Sequence, residues 1–404
     1  MDLNKLNITM ISAHSCPVGE LGAKDTGGMS VYIRELSKEL GILGNQVDVY
    51  TRIHDPRDPI MEALGPRVRL IHLKAGPEAI ISKAEVYSAI PEFIENLEGF
   101  WRKKGLHYDI VFSHYWLSGL IGEHLQKKWL IPFIMMYHTL GAVKNAVAIG
   151  EAESDQRLIS EKELAQCCRR ILVPTKKEKQ NLIHYYKALP DKIGIAPCGV
   201  NLDTFRPLDK ASARMKLDLA AEKILLFIGR IDPLKGVDRL LRAMPLLSPL
   251  KDLRLIIIGG DENSREEVDK LKQLVRELKI DHLVIFKGMV KQEQLPDYYN
   301  AADVCLVPSY YESFGLVALE ALACGTPVIA TDVGDLSHII LQGKNGYIVP
   351  DNTPEKLAEA ILLFFSRPTR NRESLRFNRE SVTRFNWARI AELITQELHR
   401  ALDG

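Results

Sequence analysis

Short apolar runs alternate along this chain with longer stretches in which apolar positions recur every three or four residues. Residues Ile8 to Ser12, Val47 to Thr51, Val68 to Leu73, Ile110 to Ser113, Phe133 to Tyr137, Ile171 to Val173 and Ile193 to Ala196 read as strands. Between them, helical patterns run from Ser30 to Leu43, Ser82 to Lys103, Ser118 to Lys128, Glu151 to Cys168 and Lys176 to Tyr186. Such alternation predicts a doubly wound sheet. The pattern breaks at Pro197-Cys198-Gly199-Val200-Asn201, and Phe205-Arg206-Pro207 leads into a polar helix. A second series follows at Ile224 to Ile228, Leu255 to Ile258, Val284 to Phe286, Val304 to Val307, Val328 to Ala330 and Tyr347 to Val349. The last helical stretch, Asn386 to Leu402, comes after a charged segment from Arg367 to Arg384 and is expected to return to the first domain. The pattern predicts an α/β protein with domains at 1–198 and 199–385, and about 386–404 packed back on the first.

The segment Pro308 to Ala330, PSYYESFGLVALEALACGTPVIA, is the most informative. An apolar strand stops at Pro308, a polar and aromatic loop follows, and Phe314 to Ala323 reads as a helix ended by Gly325 and Pro327. Glu312 falls at the carboxyl edge of the sheet, where open α/β sheets bind ligands, and Glu320 follows eight residues later. The amides at the helix start, near Ser313 to Leu316, suit a phosphate. An acid able to grip hydroxyls beside an anion-binding helix end fits a sugar nucleotide.

Gly229-Arg230-Ile231-Asp232-Pro233-Leu234-Lys235-Gly236 follows the strand ending at Ile228. Two cations facing a crevice suit a diphosphate that departs carrying negative charge. Asp25-Thr26-Gly27-Gly28-Met29 closes a loop after the first strand, and paired glycines there let backbone approach a ligand. The G-x-G-x-x-G spacing of dinucleotide binding is absent. His138, in YHTLGAVKN, and His114, in SHYWLSG, each follow a strand, and neither has a His or Cys partner at metal-ligand spacing. There is no Asp-x-Asp pair to hold a divalent metal, so Arg230 and Lys235 would neutralise the diphosphate.

Charge removes one class of partner. Lys+Arg total 53 against 52 Asp+Glu, a net charge of +1, which argues against bulk electrostatic binding of nucleic acid. No apolar run approaches the ~20 residues that span a bilayer, and the N-terminus lacks a signal-peptide pattern. The six cysteines are scattered without Cys-x-x-Cys spacing, as reduced core thiols of a cytoplasmic protein would be.

These motifs together resemble the GT-B glycosyltransferases of family 4. The resemblance is carried by Gly27-Gly28, by Gly229-Arg230 with Lys235-Gly236, by the E-S-F-G-L-x-x-x-E run from Glu312 to Glu320, and by the linker from Pro197 to Pro207. It covers nearly the whole chain. It implies two facing Rossmann-like domains with a nucleotide-sugar cleft between them. By position, Arg230 and Lys235 would grip the donor diphosphate and Glu320 the ribose. Glu312 and the amides of Phe314, Gly315 and Leu316 would hold the transferred sugar. Gly28 would bring its amide to the phosphate, and His138 would contact the sugar near the reacting carbon. The catalytic set implied is therefore His138, Arg230, Lys235 and Glu312. The resemblance also implies retention of anomeric configuration, a UDP-sugar as co-substrate, and no metal or other cofactor.

Within the family, GGMSVYIRELSKEL, SHYWLSG and YHTLGAVKN look like the subgroup acting on inositol phosphate, with the sucrose-phosphate synthases nearby. The acceptor phosphate of that subgroup implies a pocket of Lys83, Tyr115, Thr139 and Arg157, with Ser30 standing where the subgroup carries Asn. The usual Gly-Gly after the strand Val328 to Ala330 is Gly334-Asp335 here. The expected acceptor is accordingly a small phosphorylated polyol or sugar. A lipid-directed transferase at a membrane surface would need a basic, apolar stripe, which the first domain does not show. A UDP-sugar epimerase on the same fold would need no second phosphate site. A homodimer is compatible with the reading, and stable membrane insertion is not expected.

Overall fold

The computed structural model describes residues 5–19, 27–220, 223–261, 264–367 and 372–403. Two sheets form separate layers of the chain. The first contains β1 (Asn7–Ser12), β2 (Gln46–Arg52), β3 (Met61–Gly65), β4 (Val68–Leu73), β5 (Ile110–His114), β6 (Phe133–Met136), β7 (Arg170–Val173) and β8 (Ile193–Ile195). Its order is β3-β4-β2-β1-β5-β6-β7-β8. The second contains β9 (Lys223–Ile228), β10 (Leu253–Ile258), β11 (Val284–Gly288), β12 (Val304–Val307), β13 (Val328–Thr331) and β14 (Gly346–Val349), ordered β11-β10-β9-β12-β13-β14. These are two Rossmann-like α/β domains.

Burial explains why the strands read as unbroken apolar runs. β1 sits between β2 and β5, with Ile8 opposite both Val47 and Ile110, and all three are fully buried. Helices cover both faces, so adjacent residues point into apolar layers on opposite sides. Among the described residues, the only antiparallel strand is β3, at the edge of the first sheet, paired with β4 through Met61 opposite Ile71. Its sequence MEALG neither alternates nor stays apolar, so no pattern marks it.

Helix ends follow local chemistry. Helix Lys83–Lys104 begins at a capping box, in which Ser82 accepts from the Glu85 amide while the Glu85 carboxylate accepts from the Ser82 amide. It ends at Gly105 after Arg102, Lys103 and Lys104. The helix expected from Glu151 instead starts at Asp155, because the Ser154 side chain caps it by accepting from the Arg157 amide. A separate short helix, Gly141–Val147, precedes it. The charged segment near the C-terminus contains helix Arg372–Val382, which buries only Asn378 and Val382.

The two domains are joined twice. The linker after β8 is pinned by Arg379, whose guanidinium donates to the carbonyls of Leu202, Phe205 and Ala323 at 2.9, 2.8 and 3.0 Å. The chain then crosses back, and the Val200 amide donates to Phe385 O at 2.8 Å. Helix Trp387–Asp403 lies on the first domain, where Arg169 donates to Ala401 O at 3.2 Å and Arg170 pairs with Glu397. At its start Trp387 is 4% exposed and meets the Tyr32 ring edge-on at 5.4 Å. No helix among the described residues is long and apolar enough to cross a membrane.

Trp387 therefore anchors the return crossing beneath the cleft. Trp387→Ala should lose about 3–5 kcal/mol of unfolding free energy in denaturant melts, as large-to-small changes in packed cores do. A loss below 1 kcal/mol would show that the anchor lies elsewhere.

Candidate active site

The carboxyl ends of the two sheets face each other across a cavity of about 370 Å³. Its walls come from the residues that follow β5, β6, β9 and β12, among them Tyr115, His138, Arg230 and Glu312. Two of these carry backbone strain. Tyr115 and His138 have φ of 75° and 60°, a left-handed conformation that costs a side-chain-bearing residue energy and recurs at functional sites.

On the second-domain wall, β9 ends in a short turn. Asp232 caps it by accepting from the Leu234 amide, which points Lys235 back to the cavity. The Lys235 ammonium lies 2.6 Å from Glu312 Oε1, which also accepts from Ser309 Oγ at 2.8 Å. Arg230 is about two-fifths exposed and sits 3.8 Å from Asp232. The loop after β12 turns into helix Leu316–Ala323 through Gly315, whose φ of 106° suits glycine, and where a Cβ would meet Leu336 Cδ2 at 2.5 Å. Glu320 lies one turn into that helix, buried, and accepts from Tyr299 Oη at 2.7 Å. Burial drives its carboxyl pKa up to about 7, against the opposing pull of the Tyr299 bond and of Arg34.

The first-domain wall is built around Arg157, which is 2% exposed. Its guanidinium donates to Glu161 at 2.7 Å, pairs with Glu153 at 2.8 Å, and donates to the carbonyl and hydroxyl of Thr139, both at 3.0 Å. Its Cζ lies 4.9 Å from the Tyr115 ring centre, and the Lys83 ammonium lies 5.7 Å from the same ring. Burial opposes the Arg157 charge, but Glu161, Tyr115 and Glu153 raise its pKa above the ordinary value, so it stays cationic. Lys83, Tyr115, Thr139 and Arg157 thus share one wall. Ser30 does not line the cavity. It is fully buried beneath, its hydroxyl 2.6 Å from that of Ser15.

The domains touch around the cavity. A Cβ on Gly28 would stand 3.1 Å from Leu316 Cδ1, a tight contact to which the leucine end would have to yield by a few tenths of an ångström. Asp25 and Thr26 of that loop lie outside the described residues. Ser313 donates to Glu178 at 3.1 Å, the Leu140 amide donates to Tyr311 Oη at 3.4 Å, and Arg34 donates to Gln292.

A sequence profile described as Glycosyltransferase Family 4 matches residues 26–204, and one described as Glycosyl transferases group 1 matches residues 209–381. D-inositol 3-phosphate glycosyltransferase 2 of Catenulispora acidiphila is 37% identical over 98% of this chain and 95% of its own length. The chain belongs to glycosyltransferase family 4. Sucrose-phosphate synthase from Thermosynechococcus elongatus superposes with a TM-score of 0.91 at 36% identity, covering 99% of each chain. Anabaena HepE in complex with UDP and glucose shares the fold at a TM-score of 0.76 and 16% identity, over 98% of this chain and 99% of its own. The protein is thus a glycosyltransferase with the GT-B arrangement of two parallel-sheet domains.

In this glycosyltransferase, Lys144, Ser309 and Tyr311 line the cavity and Glu178 sits at the domain junction, all four outside the set read from sequence. Lys144 belongs to the YHTLGAVKN motif and pairs with Glu153. Ser309 and Tyr311 belong to the loop before Glu312. Glu178 carries no signal, because it reads as the third residue of a capped helix, and Thr175 Oγ1 does accept from its amide at 2.9 Å. Its carboxyl is buried at the domain junction, and burial drives its pKa up to about 8, with Ser313 opposing and Glu161 reinforcing the rise.

These two raised carboxyl pKa values make stability fall with pH. Between an unfolded value near 4.5 and about 7 or 8, the folded protein holds a proton that the unfolded chain has released. The ligand-free protein should lose about 1.4 kcal/mol per pH unit per group across that window. Glu178→Gln keeps an acceptor for Ser313 and removes one titration. Urea melts of this variant should show a shallower decline and, at pH 8, greater stability than wild type. Parallel profiles for the two proteins would count against a protonated Glu178.

Proposed function

We propose that this chain is a retaining, metal-independent transferase that moves a hexosyl or N-acetylhexosaminyl unit from a UDP-sugar to a small phosphorylated polyol or sugar. The observation that carries the reading is the grouping of Lys83, Tyr115, Thr139 and Arg157 on the wall facing Arg230 and Lys235. One cavity then holds two sets of cations, one for the donor diphosphate and one for an acceptor phosphate. The names of D-inositol 3-phosphate glycosyltransferase and sucrose-phosphate synthase each carry a phosphorylated polyol or sugar, which supports the same class of acceptor.

In this reading the bond between the anomeric carbon and the diphosphate oxygen breaks, and a bond from an acceptor hydroxyl oxygen to that carbon forms on the same face. The hydroxyl proton passes to the departing diphosphate. Arg230, Lys235 and the free amides at the start of helix Leu316–Ala323 stabilise the charge that develops there. Lys235 must exchange part of its bond to Glu312 for the diphosphate, and Glu312 is then left to accept from sugar hydroxyls. Closure between the sheets keeps water from the activated carbon.

Replacing Arg230 or Lys235 with Ala should lower turnover by roughly 10²–10³-fold, measured as UDP release with each candidate acceptor. The wild-type assay should run unchanged in excess EDTA. Near-normal turnover in either variant, or activity restored by Mg²⁺ after chelation, would remove this reading of the diphosphate site.

The acceptor pocket is better tested at Lys83 than at Arg157. Removing Arg157 would leave Glu161 buried and uncompensated, at a cost of about 3–5 kcal/mol in stability. Lys83→Ala should raise the acceptor KM by roughly 10–100-fold, the worth of one charged hydrogen bond. Donor affinity, measured calorimetrically without acceptor, should stay near wild type. Equal use of phosphorylated and unphosphorylated acceptors by the wild-type enzyme would return the assignment to family 4 without a known acceptor.

A further inference from the structure

The transfer reading gives His114 no role, yet its setting is specific. It is the last residue of β5, fully buried, with Nδ1 2.9 Å from Nε2 of His138. Phe112 packs on it at 4.2 Å between ring centres, and Tyr32 lies at 5.8 Å. Its Nε2 is buried and has no hydrogen-bond partner, and Tyr32 Oη is likewise buried without one. The two imidazole rings are tilted by 36°, close enough to edge alignment for a direct N–H to N bond. Burial lowers both pKa values, that of His138 to about 3, so neither ring is charged at neutral pH.

Two neutral rings joined by one hydrogen bond have two arrangements. If His138 donated from Nε2, the His114 proton would have to sit on Nε2, a buried N–H with nothing to accept it. If His114 donates from Nδ1, the atom left over is a lone pair instead. Orphaned buried N–H groups are the rarer outcome in folded proteins. The second arrangement makes His138 Nε2 the acceptor and places the His138 proton on Nδ1, the nitrogen not engaged by His114. His138 lines the cavity and is held there at a strained φ of 60°.

We propose that His114 is a positioning residue: it fixes His138 as the Nδ1-protonated tautomer, so that the ring presents an N–H donor to an oxygen of the transferred sugar. The sugar contact rests on the transfer reading above, whereas the tautomer is a property of the free protein. From Nδ1, a ring locked in this way donates but does not accept. Its hydrogen bond then goes to a lone pair on the sugar, and His138 cannot act as a base toward the acceptor hydroxyl from that atom.

Two measurements test this separately. Long-range ¹H–¹⁵N correlation spectra of ¹⁵N-histidine-labelled wild-type protein, with His138 assigned by comparison with a His138 variant, should show its proton on Nδ1. A proton on Nε2 overturns the proposal whatever the substrate proves to be. The second measurement compares His114→Asn with His114→Leu, side chains of nearly equal size that differ in the ability to donate. His114→Leu should lower kcat about 10-fold, the scale of one lost hydrogen bond at a buried acceptor, with both KM values within about 2-fold. His114→Asn should recover activity to within about 3-fold, because one hydrogen bond is restored. Equal kcat in the two variants means that His114 only fills space and overturns the positioning role. If the wild-type enzyme uses no UDP-sugar, the transfer reading fails while the spectra still decide the tautomer.

Discussion

Parallel strand pairing is the constraint on which the site depends. Every described strand pairing except β3–β4 is parallel, and each connection between parallel strands returns the chain across a face of the sheet before the next strand begins. All the strand ends therefore reach one edge of each sheet. Tyr115, His138, Arg230 and Glu312 follow four different strands and still meet around one cavity. An antiparallel sheet would send alternate loops to opposite edges and separate them. The one antiparallel strand lies at the far side of its sheet, where it adds nothing to the cleft.

The two walls carry their charge differently. Arg157 is enclosed and held by two carboxylates and Thr139, so its position is set before any ligand arrives. That enclosure is expensive unless the charge is paired and hydrogen-bonded, and Glu161, Glu153 and Thr139 supply those partners. Arg230 is partly exposed and Lys235 has a single carboxylate partner. These cations can change partners at modest cost, which suits a group that arrives as part of a sugar nucleotide and leaves as a separate diphosphate. A fixed cation on one wall and exchangeable cations on the other follow from burial alone.

What the sequence reveals tracks how locally each feature is encoded. Strands and most helices depend on periodicity and caps within a few residues, so Lys83 at its capped helix start and Glu312 at its strand end can be placed by pattern. The E-x7-E run and its R-x4-K counterpart are short motifs with fixed spacing, and Glu320 and Lys235 do face the cavity. β3 escapes because a short edge strand needs little apolar surface. Glu178 escapes because its meaning comes from Ser313, 135 positions away in the other domain. Ser30 shows the converse: it belongs to a recognisable motif, yet the packing of its helix directs the hydroxyl to Ser15 and away from the cavity wall.

The contacts across the cleft also bear on how it opens. Ser313 to Glu178, Leu140 to Tyr311 and Arg34 to Gln292 are three direct hydrogen bonds between the domains beside the cavity. Each such bond contributes about 0.5–1.5 kcal/mol net, so together they favour closure by a few kcal/mol at most. A ligand gripped from both walls supplies differential binding of the same order and can shift that balance. The closest approach is at Gly28, where even a Cβ would press on Leu316 Cδ1 at 3.1 Å. Closure thus brings the walls into close contact at Gly28 and is held by weak polar links around it, a balance that suits a cleft that must exclude water and still release its products.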